Sequence, residues 1–162
     1  MKVQSIMTSN PACCTPDTGL QKVARLMSER DCGEIPVVES RASMKPVGVI
    51  TDRDIVTRVV AEGKNPLHMA VKDCMTSPVL TVTPETSVED CVRAMEERQV
   101  RRVPVVDEAG RCCGMVSQAD IAQKASERAT AGLVKEVSQP GAKPSRIASA
   151  RVKAQPDPPT AD

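Results

Sequence analysis

A chain of 162 residues suits one domain or two small ones sharing a core, and 40% hydrophobic with 27% charged content is that of a globular protein. A net charge of +1 gives no electrostatic footprint for nucleic acid or a membrane surface. With no Phe, Tyr or Trp, the chain has no stacking platform for single strands apart from arginine planes, and its core must be aliphatic. No run is long and apolar enough to span a bilayer, and Met1-Lys2-Val3-Gln4-Ser5 lacks the apolar region of a secretory signal. Seven cysteines, an odd number, then fit free thiols in a reducing cytoplasm.

Taken in order, the chain repeats itself. Val3, Met7 and Thr8 return about 68 residues later as Val71, Met75 and Thr76, and Pro16-Asp17 returns as Pro84-Glu85. Ile35-Pro36-Val37-Val38-Glu39 returns as Val103-Pro104-Val105-Val106-Asp107. After a turn that is longer in the first copy, Gly48-Val49-Ile50-Thr51-Asp52-Arg53-Asp54-Ile55 returns as Gly114-Met115-Val116-Ser117-Gln118-Ala119-Asp120-Ile121. One insertion in a turn with otherwise constant spacing is what a duplicated structural unit leaves.

Each unit reads as strand, helix, strand, strand, helix. An extended piece over Ala12–Thr15 precedes a helix whose apolar positions Leu20, Val23, Ala24 and Met27 share one face. Val88, Cys91, Val92 and Met95 repeat that spacing. Thr18 and Thr86 stand at capping-box spacing from Gln21 and Glu89. Two β-branched runs follow in each unit, and Pro36 and Pro104, which lack an amide N–H, are expected at a strand edge or start. The closing helices are expected over about Asp52–Glu62, stopped by Gly63, and from Gln118 to about Thr130. The division is therefore 1–66 for the first unit with its linker, 67–130 for the second, and 131–162 for a C-terminal extension. From about residue 140 that extension, rich in Pro, Lys, Arg, Ser and Ala, is expected to be disordered.

In the two Gly motifs an apolar strand ends on a hydroxyl residue and a helix begins at once. Hydroxyl and carboxylate there stand beside helix-N-terminal N–H groups, where a polar or anionic ligand can sit; a helix cap fits the same residues. Two units in register, each with Met-Thr near its start, an Ile/Val-Pro-Val-Val-acid strand and Gly-x-x-Thr/Ser-x-x-Asp-Ile, resemble a tandem pair of CBS domains, a Bateman module of the stand-alone bacterial or archaeal type.

The resemblance implies an α/β (α+β) fold of two βαββα units packed through their sheets about a pseudo-twofold axis, and a homodimer. It implies clefts between the units for adenosine-containing ligands: AMP, ADP, ATP, S-adenosylmethionine or NAD. Asp54 and Asp120 take the ribose position, and Thr51 and Ser117 the hydroxyl beside it. Arg53, Arg101 and Arg102 are placed to reach phosphates. Thr76 to Leu80, Val79 included, and Thr8 to Cys13 take the base, each from the opposite unit. Arg53 and Asp52 face Ala119 and Gln118 in the second copy, so the first motif is expected to be the tighter site.

The function so implied is a regulatory sensor of adenine nucleotide with no cofactor required and an unidentified regulated protein as partner. A dimerising scaffold with empty clefts is the alternative, and a nucleic-acid-binding member is disfavoured by charge and composition. No catalytic constellation is present: P-loop, Gly-x-Ser-x-Gly and paired-His motifs are all missing. The adjacent pairs Cys13-Cys14 and Cys112-Cys113 point to opposite faces of a strand and make poor chelates, and His68 reads as a surface residue.

Overall fold

The computed structural model describes residues 1–124 and 127–139. Two sheets form from the repeated β-branched runs. In the first unit β2 (Glu34–Val38) pairs antiparallel with β3 (Pro46–Thr51); in the second β4 (Arg102–Val106) pairs with β5 (Cys112–Ser117). Matching irregularities after Val37 and Val105 bend both hairpins at the same point of the repeat. The first extended piece of each unit contributes a single parallel bridge, Cys14 to Val37 and Val82 to Val105.

Pro36 and Pro104 stand on β2 and β4, the outer strands of their sheets as expected, flanked there only by that single bridge. Each carbonyl accepts from that bridging residue, Cys14 N at 3.0 Å and Val82 N at 3.1 Å. The absent amide of each proline faces the same flank, beyond the bridge, so no ladder bond is lost.

Helix α1 (Leu20–Glu29) buries Leu20, Val23 and Met27, and α3 (Val88–Arg98) buries Val88, Cys91, Val92 and Met95. Ala24 is exposed, so the face of α1 is narrower than the spacing predicts. The capping expectation shifts by one residue. Ser87 caps α3 by accepting from Asp90 N at 3.0 Å, while Thr86 Oγ1 accepts from Thr83 N, upstream of the helix. Gly19 precedes α1 without a side-chain cap, and Thr18 serves Thr15 N in the same way. A hydroxyl that closes the turn ahead of the helix is not free to cap it.

The segments that open the two units are exchanged. Strand β1 (Thr8–Ser9) pairs antiparallel with β5, and Thr76 bridges Val49 of β3. Val3 and Ile6 belong to the core built on α3, β4 and β5, whereas Val71 and Cys74 belong to the core built on α1, β2 and β3. A division after residue 66 thus follows the sequence repeat, not the two cores.

The closing helix of the first unit starts as α2 (Asp52–Ile55), widens to a π-type turn over Val56–Val60 and stops near Gly63, whose φ of 68° favours glycine. In the second unit α4 (Gln118–Lys124) is followed by α5 (Glu127–Val137), which passes the expected end near Thr130. Leu133 is fully buried and Val137 nearly so, both in the second core. The opening of the C-terminal extension is therefore part of the fold; its expected disorder from about 140 lies outside the described residues.

Leu133→Ala is expected to cost about 2–5 kcal/mol of stability by leaving a cavity under α5. Denaturant unfolding measures it, and a variant as stable as the parent would detach α5 from the core.

Candidate functional site

The junction between β3 and α2 forms a capping box. Thr51 Oγ1 accepts from Asp54 N at 3.0 Å and Asp54 Oδ2 accepts from Thr51 N at 3.0 Å. Asp52 N donates to Gly33 O at 3.0 Å, and Arg53 N to Asp52 Oδ1 at 2.7 Å. Every amide of the first turn is therefore occupied by the protein itself. The expectation of free helix-N-terminal N–H groups for an anion is corrected; ligand chemistry here has to come from side chains.

Asp54 is buried, with three further contacts. Thr76 Oγ1, from the exchanged segment, donates to its Oδ1 and Oδ2 at 3.2 and 3.4 Å. Arg58, one turn along the helix, lies 3.4 Å from Oδ1 and donates to the carbonyls of Cys74 and Met75 at 2.9 and 3.0 Å. The second motif repeats this plan in weaker form. Ser117 Oγ donates to Asp120 Oδ2 at 2.5 Å, Ser117 N donates to the same oxygen, and Asp120 N donates back to Ser117 Oγ. Lys124 stands 4.0 Å from Asp120 Oδ1 and donates to Ile6 O at 3.0 Å.

A cleft of about 280 Å³ opens between the units at the first motif. Thr51, Arg53 and Asp54 form one wall, and Thr76, Pro78, Val79 and Leu80 of the other half an apolar floor. Arg101 and Arg102, at the start of β4, close the far side with Gln99 and Val137. Seven of the residues read from the sequence thus meet in one place: Thr51, Arg53, Asp54, Thr76, Val79, Arg101 and Arg102. Ser117 lines a more open recess beside the same two arginines, with Gln118, Ala119 and Ala122. Thr8 and Asp120 line neither recess; Thr8 lies on β1, paired with Met115 of β5.

Arg58, Glu34, Gln99 and Val137 are among the residues of this cleft that escaped the sequence reading. Arg58 was signalled by its i, i+4 spacing from Asp54, matched by Lys124 and Asp120. Glu34 lies opposite Arg102, its counterpart in the repeat. Burial pushes its carboxyl up to about 8, Arg102 opposes that, and Asp54 and Asp52 add to it. Gln99 Oε1 is buried without a hydrogen-bond partner among the described residues. Val137 O accepts from Arg101 at 3.4 Å, bringing the end of α5 to the rim. Among the described residues no cluster of three or more His, Cys, Asp or Glu could hold a metal ion.

The family model for the CBS domain matches residues 3–61 and 71–127. The CBS domain-containing protein YhcV of Bacillus subtilis is 34% identical over 130 residues, 80% of this chain and 89% of that protein. Hypoxic response protein 1 of Mycobacterium tuberculosis is 33% identical over 137 residues, 85% of this chain and 94% of that protein. An uncharacterized Methanopyrus kandleri protein is 36% identical over 109 residues, and the chain spans 55% of its length.

Among solved structures, Hypoxic Response Protein I with two coordinated zinc ions aligns with a TM-score of 0.69 at 31% identity, over 78% of this chain and all of that one. The CBS domain pair of protein MJ0100 in complex with 5'-methylthioadenosine and S-adenosyl-L-methionine aligns at 0.68 and 25%, over 76% of this chain and 98% of that one. With its two repeats and their α+β fold, the chain belongs to the CBS domain family as a tandem pair.

Proposed function

We propose that the chain is a non-enzymatic regulatory module that binds an adenosine-containing ligand, of the class AMP, ADP, ATP, S-adenosylmethionine or NAD, in the cleft carried by Asp54. The observation that carries this reading is the meeting, across two halves of the chain, of a carboxylate wall, an apolar floor and a cationic far side. Those three surfaces match a ribose, an aromatic base and a phosphate or other polar tail. Asp54 makes long bonds through Oδ1 and keeps acceptor capacity for ribose hydroxyls. Gln99 Oε1, without a hydrogen-bond partner among the described residues, suits an exocyclic amino donor. The methylthioadenosine and S-adenosylmethionine held by the MJ0100 pair support the ligand class.

In this reading the Asp120 motif, with Thr8 and Ser117, forms the weaker second site. The ligand acts as a regulator and not as a required cofactor. The module pairs with a second copy and acts on a regulated protein. Val56 and Val60, each 57% exposed and one turn apart, together with exposed Leu67, supply an apolar face for that pairing. The reading places the chain in the cytoplasm; among the described residues no helix is long and apolar enough to cross a membrane.

Glu34 gives the cleft a proton-dependent charge. Its folded-state value of about 8 lies above the ordinary 4.5, so the folded protein keeps a proton that the unfolded chain has lost. Stability therefore falls as pH rises from 4.5 to about 8 and levels off above. The same proton leaves Arg102 uncompensated and the cleft more attractive to phosphate.

Calorimetric titration with AMP, ATP, S-adenosylmethionine and NAD tests the function. Asp54→Asn is expected to weaken the ligand that binds by more than tenfold, about 1.4 kcal/mol, with a smaller loss for Asp120→Asn. Unchanged affinity in Asp54→Asn would remove the assignment, and no binding by any of the four would favour a scaffold. Glu34→Gln is expected to flatten the fall in melting temperature between pH 5 and pH 8. It should also abolish a roughly two- to fivefold drop in AMP affinity between pH 7 and pH 9. Parallel pH profiles for parent and variant would show that Glu34 is already ionised.

A further inference from the structure

The adjacent cysteines divide their work. Cys14 turns into the first core, and Cys113 packs against the second. Their neighbours Cys13 and Cys112, on the opposite faces of the same extended segments, turn toward each other. Together with Val38 they form a third buried cluster, outside both unit cores, with Met44 packed on it.

This cluster joins the two halves. Cys13 lies on the segment that bridges β2 through Cys14, in the first unit. Cys112 opens β5 in the second unit, and its amide donates to Met44 O of the first at 2.8 Å. The two thiols are 4% and 8% exposed and pack in this one cluster. Cys13 Sγ also donates to Pro11 O at 3.4 Å, and Cys112 Sγ to Gly114 O at 3.7 Å.

We propose that Cys13 and Cys112 are an oxidisable dithiol, a modification site for hydroperoxides whose disulfide covalently joins the two units. Cys13 is the attacking sulfur: interaction with the neighbouring Cys112 side chain and, to a lesser degree, the positive charge of Arg41 hold its thiol below the ordinary value against burial. Cys112 is held well above, and burial pushes Cys14 to about 12 and Cys74 and Cys91 to about 11.

The Cys13 thiolate attacks the peroxide, the O–O bond breaks, and the departing oxygen leaves as an alcohol or water with a proton. Cys13 becomes a sulfenic acid. The Cys112 sulfur attacks the sulfenic sulfur, the S–O bond breaks, and hydroxide leaves as water with the Cys112 proton. Two thiols are oxidised by two electrons to one disulfide, and one hydroperoxide is reduced to alcohol and water. The link would tie residues at opposite ends of the repeat and hold the two sheets at one separation.

The test uses the full chain carrying Cys14→Ser and Cys113→Ser, so that each proteolytic peptide of interest holds one of the two cysteines. The native protein is treated with hydrogen peroxide, free thiols are alkylated, and the non-reduced digest is read by mass spectrometry. A Cys13–Cys112 linked peptide lighter by two hydrogens, lost on adding dithiothreitol, is expected. Its formation should raise the melting temperature by roughly 5 °C or more. Adding Cys112→Ser should leave a sulfenic acid on Cys13 that dimedone traps, whereas Cys13→Ser should leave none on Cys112. The parent chain, mapped by fragment spectra in the same way, keeps the test independent of how well these variants fold. Both cysteines alkylated after peroxide, or other cysteine pairs linked in equal yield, would overturn the proposal.

Discussion

The fold depends on the exchange of its two opening segments. Each unit completes its sheet with backbone from the other, Thr8–Ser9 on β5 and Thr76 on β3. Each exchanged segment is then held by a base one helical turn after the motif carboxylate, Arg58 on the carbonyls of Cys74 and Met75 and Lys124 on that of Ile6. The glycine that opens each motif makes the approach possible. A Cβ on Gly48 would meet Thr76 O at 2.6 Å, and one on Gly114 would meet Met7 Sδ at 2.6 Å. Gly48 faces rigid backbone and Gly114 the end of a flexible side chain, so the first crossing is the less forgiving one. Strand, carboxylate, base and exchanged carbonyl form one connected unit, and neither half can complete its core alone.

That linkage also builds the cleft. Because Thr76 must cross to β3, the residues after it, Pro78 to Leu80, are laid against the wall that holds Asp54. Because only three residues, 99–101, connect α3 to β4, Arg101 and Arg102 arrive on the other side. The carboxylate that caps α2 is the one the cleft presents, so cap and site are one arrangement. The capping box fixes the orientation of Asp54, and a preorganised acceptor loses little freedom when a ligand arrives.

The repeat, the helix faces and the Gly motif were legible because each rests on local pattern: a period in the sequence, an i, i+3, i+4 spacing, a hydroxyl three residues before an acid. What was hidden is set by long-range pairing. Nothing local to Val3 or Ile6 says that they pack with α3 and not with α1. Nothing local to Thr18 or Thr86 says that the preceding turn claims their hydroxyls. The first-turn amides looked free because Gly33 O, the acceptor of one of them, is distant in sequence. Glu34 was passed over because a single acid at the start of a strand carries no local signal. Its meaning as an acid comes from Asp52, Asp54 and Arg102, which the fold gathers around it. Leu133 and Val137 were assigned to an extension because they lie beyond the end of the repeat, yet they cover the second core.

The duplication is symmetric in backbone and asymmetric in charge, and the asymmetry has a physical reason. Around the first motif Arg53, Arg58, Arg101 and Arg102 stand with Glu34, Asp52 and Asp54 along one cleft. Four cations and three anions in partly desolvated space are tolerable only if most are paired and one acid can go neutral. Arg58 is committed to Asp54 and two carbonyls, and Arg101 to Val137 O. Glu34 is the acid that burial pushes toward its neutral form, with Arg102 opposing. Around the second motif Ala119 and Gln118 replace Arg53 and Asp52, and Lys124 reaches Asp120 only at 4.0 Å. The first copy keeps charge in reserve near its cleft. The second uses its hydroxyl and carboxylate for capping, and its recess, beside the same Arg101 and Arg102, is the more open of the two.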